Sequence, residues 1–174
     1  MELKKVQEAL NAFGASVVER AKDNLKIGGK YGTHNASGKL SNSLNYKSKV
    51  SQNSIEFDFY AEDYWKELDF GTKGSESSTK APNSPYKAYA RTSDIDKWVV
   101  KKGLQGIRGA GGKFTNRKLM VASITKSINK TGTPETKFFR SAFDKEYQTF
   151  DNSIAEKYGL DLEEFLKFSL KDIK

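Results

Sequence analysis

The chain has 174 residues, no cysteine, a single histidine and a net charge of +8. A chain of that length suits one domain that buries about 70% of its unfolded surface, so no disulfide or metal is needed to hold it together. The missing cysteine excludes disulfides, thiolate metal sites and cysteine nucleophiles, and fits a reducing compartment.

The chain opens on a polar, amphipathic stretch, Met1 to Glu8, without the apolar core of a signal peptide. No apolar run approaches the ~18 residues that would span a bilayer, so the expectation is a protein made and used in solution. Leu3, Val6, Leu10, Phe13, Val17, Ala21 and Leu25 recur at three- and four-residue steps. This spacing predicts one amphipathic helix over 3–25, stopped by Gly28 and Gly29 and packed on a sheet. Residues 28–38 are rich in Gly, Ser, Thr and Asn and should form a loop. His34 lies there and reads as an exposed loop residue. One histidine with no cysteine cannot assemble a zinc site of three or four protein ligands.

Ser37 to Leu44 suggests a short helical turn with Leu40 and Leu44 facing inward. Asn45–Ser51 and Ser54–Tyr60, flanking Gln52 and Asn53, read as a β-hairpin. Ile55, Phe57 and Phe59 alternate with Glu56 and Asp58, the period of a half-buried strand. Glu56 and Asp58 are then its solvent side rather than a catalytic or metal-binding pair. A third apolar segment, Tyr64 to Thr72, ends in a glycine turn; Trp65, Leu68 and Phe70 are core candidates and Glu67 and Asp69 their exposed complement. Residues 73–93 read by composition as a mobile loop.

Asp94 and Asp96 open a short helix closed by Gly103, with acids first and lysines last as the helix dipole favours. Gly106 to Thr115 resembles a phosphate-binding loop only superficially. Such a loop needs glycine where Ile107 stands and Ser or Thr where Phe114 stands. It reads instead as a flexible cationic loop. A further helix is expected over 117–130, with Val121, Ile124 and Ile128 inside and Lys118, Lys126 and Lys130 outside. A long helix should follow from about Phe138, carrying Phe139, Phe143, Tyr147, Phe150, Ile154 and Tyr158 at packing spacing. Gly159 should end it, and Asp161 should cap a last helix bearing Leu162, Phe165, Leu166, Leu170 and Ile173.

Charge is segregated along the chain. Residues 24–55 hold five lysines and no acid, and residues 97–134 hold nine basic residues and no acid. From Glu135 onward there are nine acids against seven bases. Such segregation can build a positive surface for DNA or for an acidic partner. The candidates for it are Lys101, Lys102, Arg108, Lys113, Arg117 and Lys118.

Taken in order, these segments resemble a known family, the small head–tail joining or tail-completion proteins of long-tailed bacteriophages. The landmarks are the first amphipathic helix, Gly38 to Leu44 leading into a hairpin, and Asp69-Phe70-Gly71-Thr72. Next come a Trp-bearing helix closing in Lys101-Lys102-Gly103, and a basic helix leading through Gly132 and Pro134 to Phe138-Phe139-Arg140-Ser141-Ala142-Phe143. The match covers roughly residues 1–150. It departs in the bulky Trp65–Asp69 segment and in the extension from Asp161.

The resemblance implies an α+β (α/β) fold, a small antiparallel sheet packed against the N-terminal and C-terminal helices. On this reading residues 1–160 form one neck-protein-like domain, with a loop-and-helix insertion at 73–131, and 161–174 form a C-terminal helical extension. The resemblance also implies a structural role without a catalytic site, cofactor or metal. Copies would form a ring, commonly six-fold, between the portal-and-connector stack of the capsid and the tail tube, with DNA passing through. Partners would be the connector or stopper and the tail-tube or terminator proteins, in the virion neck after assembly in the host cytoplasm. The Arg108–Lys118 loop would either line the channel or dock on an acidic neighbour. The competing reading is a free, non-specific nucleic-acid-binding protein, although no helix-turn-helix, RRM or zinc-finger pattern is present. An enzyme is disfavoured, because without cysteine and with one loop histidine no motif groups a nucleophile, a base and an orienting acid.

Overall fold

The computed structural model describes residues 3–29, 32–51, 54–104, 106 and 116–171, with the backbone alone at 151–152 and 164–171. The fold is mixed α+β. The chain divides into two compact units. One comprises Met1–Leu25, Ser41–Glu62 and Phe138–Lys174, the other Lys26–Leu40 and Asp63–Lys137.

The first unit is built on α1 (Lys4–Lys26), whose stripe of Val6, Leu10, Phe13, Val17, Ala21 and Leu25 is buried as its spacing requires. Gly14 lies on the same face. A Cβ there would meet the ring of Tyr46 at 2.4 Å, so the missing side chain lets an aromatic ring lie against the helix backbone. The hairpin pairs β3 (Asn45–Val50) with β4 (Ile55–Tyr60) antiparallel, in the register Asn45↔Tyr60 to Val50↔Ile55. Its half-buried face carries Tyr46, Ser48, Phe57 and Phe59. Its exposed face sets Lys47 opposite Asp58 and Lys49 opposite Glu56, cross-strand neighbours of opposite charge. Ile55, read as an inward residue, is 55% exposed because it sits at the end of its strand. The hairpin turn at 52–53 lies outside the described residues.

The other wall of this unit is α6 (Arg140–Lys171). Phe13 is the hub of the core. It stacks on Phe150 with centroids 4.4 Å apart and meets Phe57 and Phe143, each at 5.6 Å. Phe59 extends the cluster to Phe139 at 4.9 Å. Each such pair contributes about 0.5–1.5 kcal/mol beyond the area it buries. Tyr147 and Tyr158, assigned to the core by spacing, are instead about half exposed.

The helix does not break at Gly159, and Asp161 does not open a new one: α6 runs on through both. Nothing lies within 4 Å of a Cβ built on Gly159, and its φ is not left-handed. Asp161 is 3% exposed and caps a different helix. Its carboxylate accepts from the backbone N–H of Lys5 (3.2 Å) and Val6 (3.0 Å), two orphan donors in the first turn of α1. Together with Asn24 donating to the Phe138 carbonyl (2.8 Å) and Arg20 paired with Glu146 (2.5 Å), this runs α6 antiparallel to α1.

In the second unit, β1 (Gly28–Gly29) and β2 (Gly32–Thr33) make a minimal antiparallel pair within the stretch read as loop. The chain passes back to the first unit within the turn α2 (Lys39–Ser43), and Leu40 and Leu44 are buried as expected. The third apolar segment is a helix, α3 (Trp65–Phe70), and its most buried side chain is Asp69, at 0% exposure. Asp69 is therefore core rather than exposed complement. Trp65, Leu68 and Phe70 are only half-buried. Among the described residues no buried polar side-chain atom lacks a hydrogen-bond partner, so the Asp69 carboxylate is satisfied.

Helices α4 (Thr92–Lys101) and α5 (Arg117–Thr131) pack through Val99, Met120 and Val121, flanked by Ile95, Trp98, Leu104 and Ile124. The 73–93 stretch, read as mobile, is fastened along its length. Lys73 donates to the Tyr86 carbonyl (2.8 Å), Ser75 to that of Asn129 (2.8 Å) and Ala88 to that of Lys73 (2.7 Å). The Asn129 side chain binds both the N–H (2.7 Å) and the carbonyl (3.0 Å) of Ala90.

Two helix ends meet in this unit. Gly71 closes α3 at φ 69°, ψ −174°, and Gly132 closes α5 at φ 71°, ψ −172°. The threonines that follow pair antiparallel, Thr72 N–H to the Thr133 carbonyl (3.1 Å) and Thr133 N–H to the Thr72 carbonyl (3.0 Å). Their hydroxyls lie 2.9 Å apart, and Ser84 donates to the Gly71 carbonyl at 2.7 Å. Both glycines adopt a region of backbone space that is essentially glycine-only. A Cβ on Gly132 would also lie 1.9 Å from the Thr72 carbonyl oxygen.

Gly132→Ala is therefore expected to cost about 2–4 kcal/mol in urea unfolding, backbone strain and overpacking combined. Gly103→Ala, at φ +60° with nothing within 4 Å, should cost only about 1 kcal/mol. Gly159→Ala should stabilise, by about 0.5–1 kcal/mol, seen as a raised melting temperature. A loss of stability there would show that α6 turns at this residue.

Candidate interaction surface

The two units carry opposite charge. The second holds eighteen Lys and Arg against seven Asp and Glu, net +11; the first holds twelve against fifteen, net −3. The sum is the chain's +8. The candidate basic residues all belong to the positive unit.

Arg117 and Lys118 come together at the start of α5, where they line an open groove of about 740 Å³ with Thr92, Ser93, Asp96, Asn116 and Val121. The N-termini of α4 and α5 both border it. Asn116 caps α5, its side-chain carbonyl accepting from the Lys118 N–H at 2.9 Å. Arg117 does not offer a free charge to the groove. Its guanidinium grips Asp96 through Nε–Oδ1 at 2.8 Å and Nη2–Oδ2 at 2.7 Å. The pair is half exposed, worth up to about 1 kcal/mol. Lys118 is exposed, with no carboxylate paired to it among the described residues.

Lys101 and Lys102 sit at the other end of α4. Lys101 is exposed in the last turn, and Lys102 closes the helix with its N–H on the Trp98 carbonyl (3.0 Å). The Lys102 ammonium donates to the Thr33 carbonyl, tying β2 to the end of α4. Among the described residues the Lys102 side chain thus has a partner, and those of Lys101 and Lys118 have none. Arg108 and Lys113, with the 107–115 stretch that carries them, lie outside the described residues.

His34, expected to be exposed, is half-buried. Burial, and then the positive charge of Lys102, hold its pKa below the ordinary 6.5. Among the described residues no three His, Cys, Asp or Glu side chains are grouped to hold a metal ion. No described helix is long and apolar enough to cross a membrane.

The outer face of α5 was legible in part. Its spacing put Lys118, Lys126 and Lys130 outside, but not the pairing of Lys130 with Glu76 at 2.7 Å. Comparison with known protein families, with characterised proteins and with solved structures finds no match to this chain.

His34 generates a sign-definite expectation. Its depressed pKa means that the unfolded chain takes up a proton before the folded one does. Stability is then full above pH 6.5 and declines as pH falls below it, until the folded form also protonates. Urea midpoints measured across pH 5–8 should show this decline in the wild type and a smaller one in His34→Asn.

Proposed function

We propose that this chain is a structural virion protein of a tailed bacteriophage. It is a ring-forming neck component that completes the tail end, joins it to the DNA-filled head, or does both. The observation that carries the reading is the order of landmarks along the sequence, from the first amphipathic helix to the Phe138–Phe143 run. Two of them, Phe70-Gly71-Thr72 and Gly132-Thr133-Pro134, turn out to be partners in one backbone bridge. An α+β fold with a hairpin held between the first and last helices is also the architecture such a protein would have.

In this role the chain acts without catalysis. Its copies assemble head-to-tail into a closed ring, commonly of six, seated between connector or stopper proteins on the capsid side and tail-tube or terminator proteins on the other. Opposite charges on two units of one chain suit such a heterologous contact, in which different surfaces of neighbouring copies meet. The protein works in the virion neck and accumulates in the host cytoplasm before assembly.

The test is electron microscopy of lysates from a phage carrying a stop codon at Lys22. Separate DNA-filled heads and unjoined tails are the expected result. Abnormal tail lengths would assign the protein to tail termination alone. Intact, infectious particles would overturn the structural role.

A further inference from the structure

The fold uses only some bases of the acid-free run over 97–134, among them Lys102, Arg117 and Lys130. Folding α5 needs only its inward residues, Met120, Val121, Ile124 and Thr125. Its outward residues are a separate choice. Lys118, Ala122, Lys126 and Lys130 stand four residues apart, and on a helix that spacing makes one continuous row. Leu119, Ser123 and Ser127 lie beside the row and are exposed. The row thus presents three lysines over about 18 Å, separated by small side chains that let a partner approach the helix closely.

We propose that this outer face of α5 binds the phosphate backbone of duplex DNA. About 18 Å of axis corresponds to roughly five base pairs, enough for several phosphates to meet the three ammonium groups. The surrounding unit, at net +11, adds a long-range attraction that reads no sequence. Lys118 and Lys126 have no carboxylate partner among the described residues. Lys130 has Glu76, but both members are part-exposed at 42% and 60%, and such a pair is weak enough to exchange for a phosphate.

An acidic protein partner fits the same charge less well. Protein interfaces are anchored by large apolar or aromatic residues, and on this face only Leu119 is of that kind. The inference deepens the neck reading, in which DNA passes the ring, but is tested separately from it. DNA binding is measured on isolated protein, and the joining of heads and tails on lysates.

The experiment is fluorescence anisotropy of the full chain with a labelled duplex of about two helical turns, over a range of salt concentrations. Two variants with equal charge loss are compared. One is Lys118→Gln/Lys126→Gln/Lys130→Gln, the other Lys49→Gln/Lys66→Gln/Lys87→Gln, whose lysines are exposed on other elements. Circular dichroism checks that both fold. If the first does not, the Lys118→Gln/Lys126→Gln pair replaces it and should give about two-thirds of the change.

The α5 variant is expected to bind more weakly at every salt concentration. Its log–log salt slope should be shallower by about 2–3, since each phosphate contact contributes about 0.9. The control variant should keep the wild-type slope within about one unit. Equal losses in both variants would overturn the proposal, as would a wild-type protein that does not bind duplex at low salt. So would displacement by poly-glutamate as effective as by unlabelled duplex at equal charge, which would assign the face to an acidic protein.

Discussion

The second unit depends on a two-residue contact, the reciprocal pairing of Thr72 and Thr133. It closes an excursion of about sixty residues, whose ends would drift apart at little energetic cost, into a loop with a fixed neck. Several of the contacts that fasten the excursion gather near this point. Gly74 comes so close to the end of α5 that a Cβ there would lie 2.1 Å from the Lys130 carbonyl oxygen. Lys80 reaches the Thr131 hydroxyl at 2.6 Å, and Ser84 holds the Gly71 carbonyl. The bridge exists because each strand-like threonine follows a helix ended by a glycine. Gly71 and Gly132 have nearly the same backbone angles, so the two helix ends deliver their threonines in matching fashion. The same neck fixes where α5 stops, and with it which lysines line up on its outer side.

The first unit is held by different means. No backbone bridge of that kind is needed where Phe13, Phe57, Phe59, Phe139, Phe143 and Phe150 interlock around one helix. The division of labour extends to charge. The aromatic unit is slightly acidic and the bridged unit strongly basic, so a feature invisible in the net value of +8 becomes a property of separate surfaces.

Periodicity makes much of this fold legible in the sequence. The stripe on α1, the alternation of β4 and the inward face of α5 follow from side chains that must leave water, and that demand recurs at every turn or every second residue. The errors fall where a single specific partner decides. Asp69 looks like a surface acid by type, yet it is enclosed because donors are arranged around it. Gly159 looks like a helix stop, but the backbone on both sides remains hydrogen-bonded, and glycine in an exposed helix only weakens it. The 73–93 stretch looks mobile by composition, since Ser, Gly and Lys say nothing about which distant carbonyls will accept their N–H groups. Within the basic surface, the row on α5 was readable from spacing. The capture of Arg117 by Asp96 and of Lys102 by Thr33 was not, because each joins residues on different elements.

The cap supplied by Asp161 bears on how the chain matures during synthesis. Helix α1 is made before α6, and the carboxylate that satisfies its opening N–H groups arrives 155 residues after Val6. The first unit is assembled from three separated pieces, whereas most of the second, residues 63–137, is one uninterrupted piece. On a ribosome the basic unit can therefore reach its final form while α1, with only the hairpin against its apolar stripe, still waits for α6 to emerge. During that interval the nascent chain exposes apolar surface that is open to aggregation.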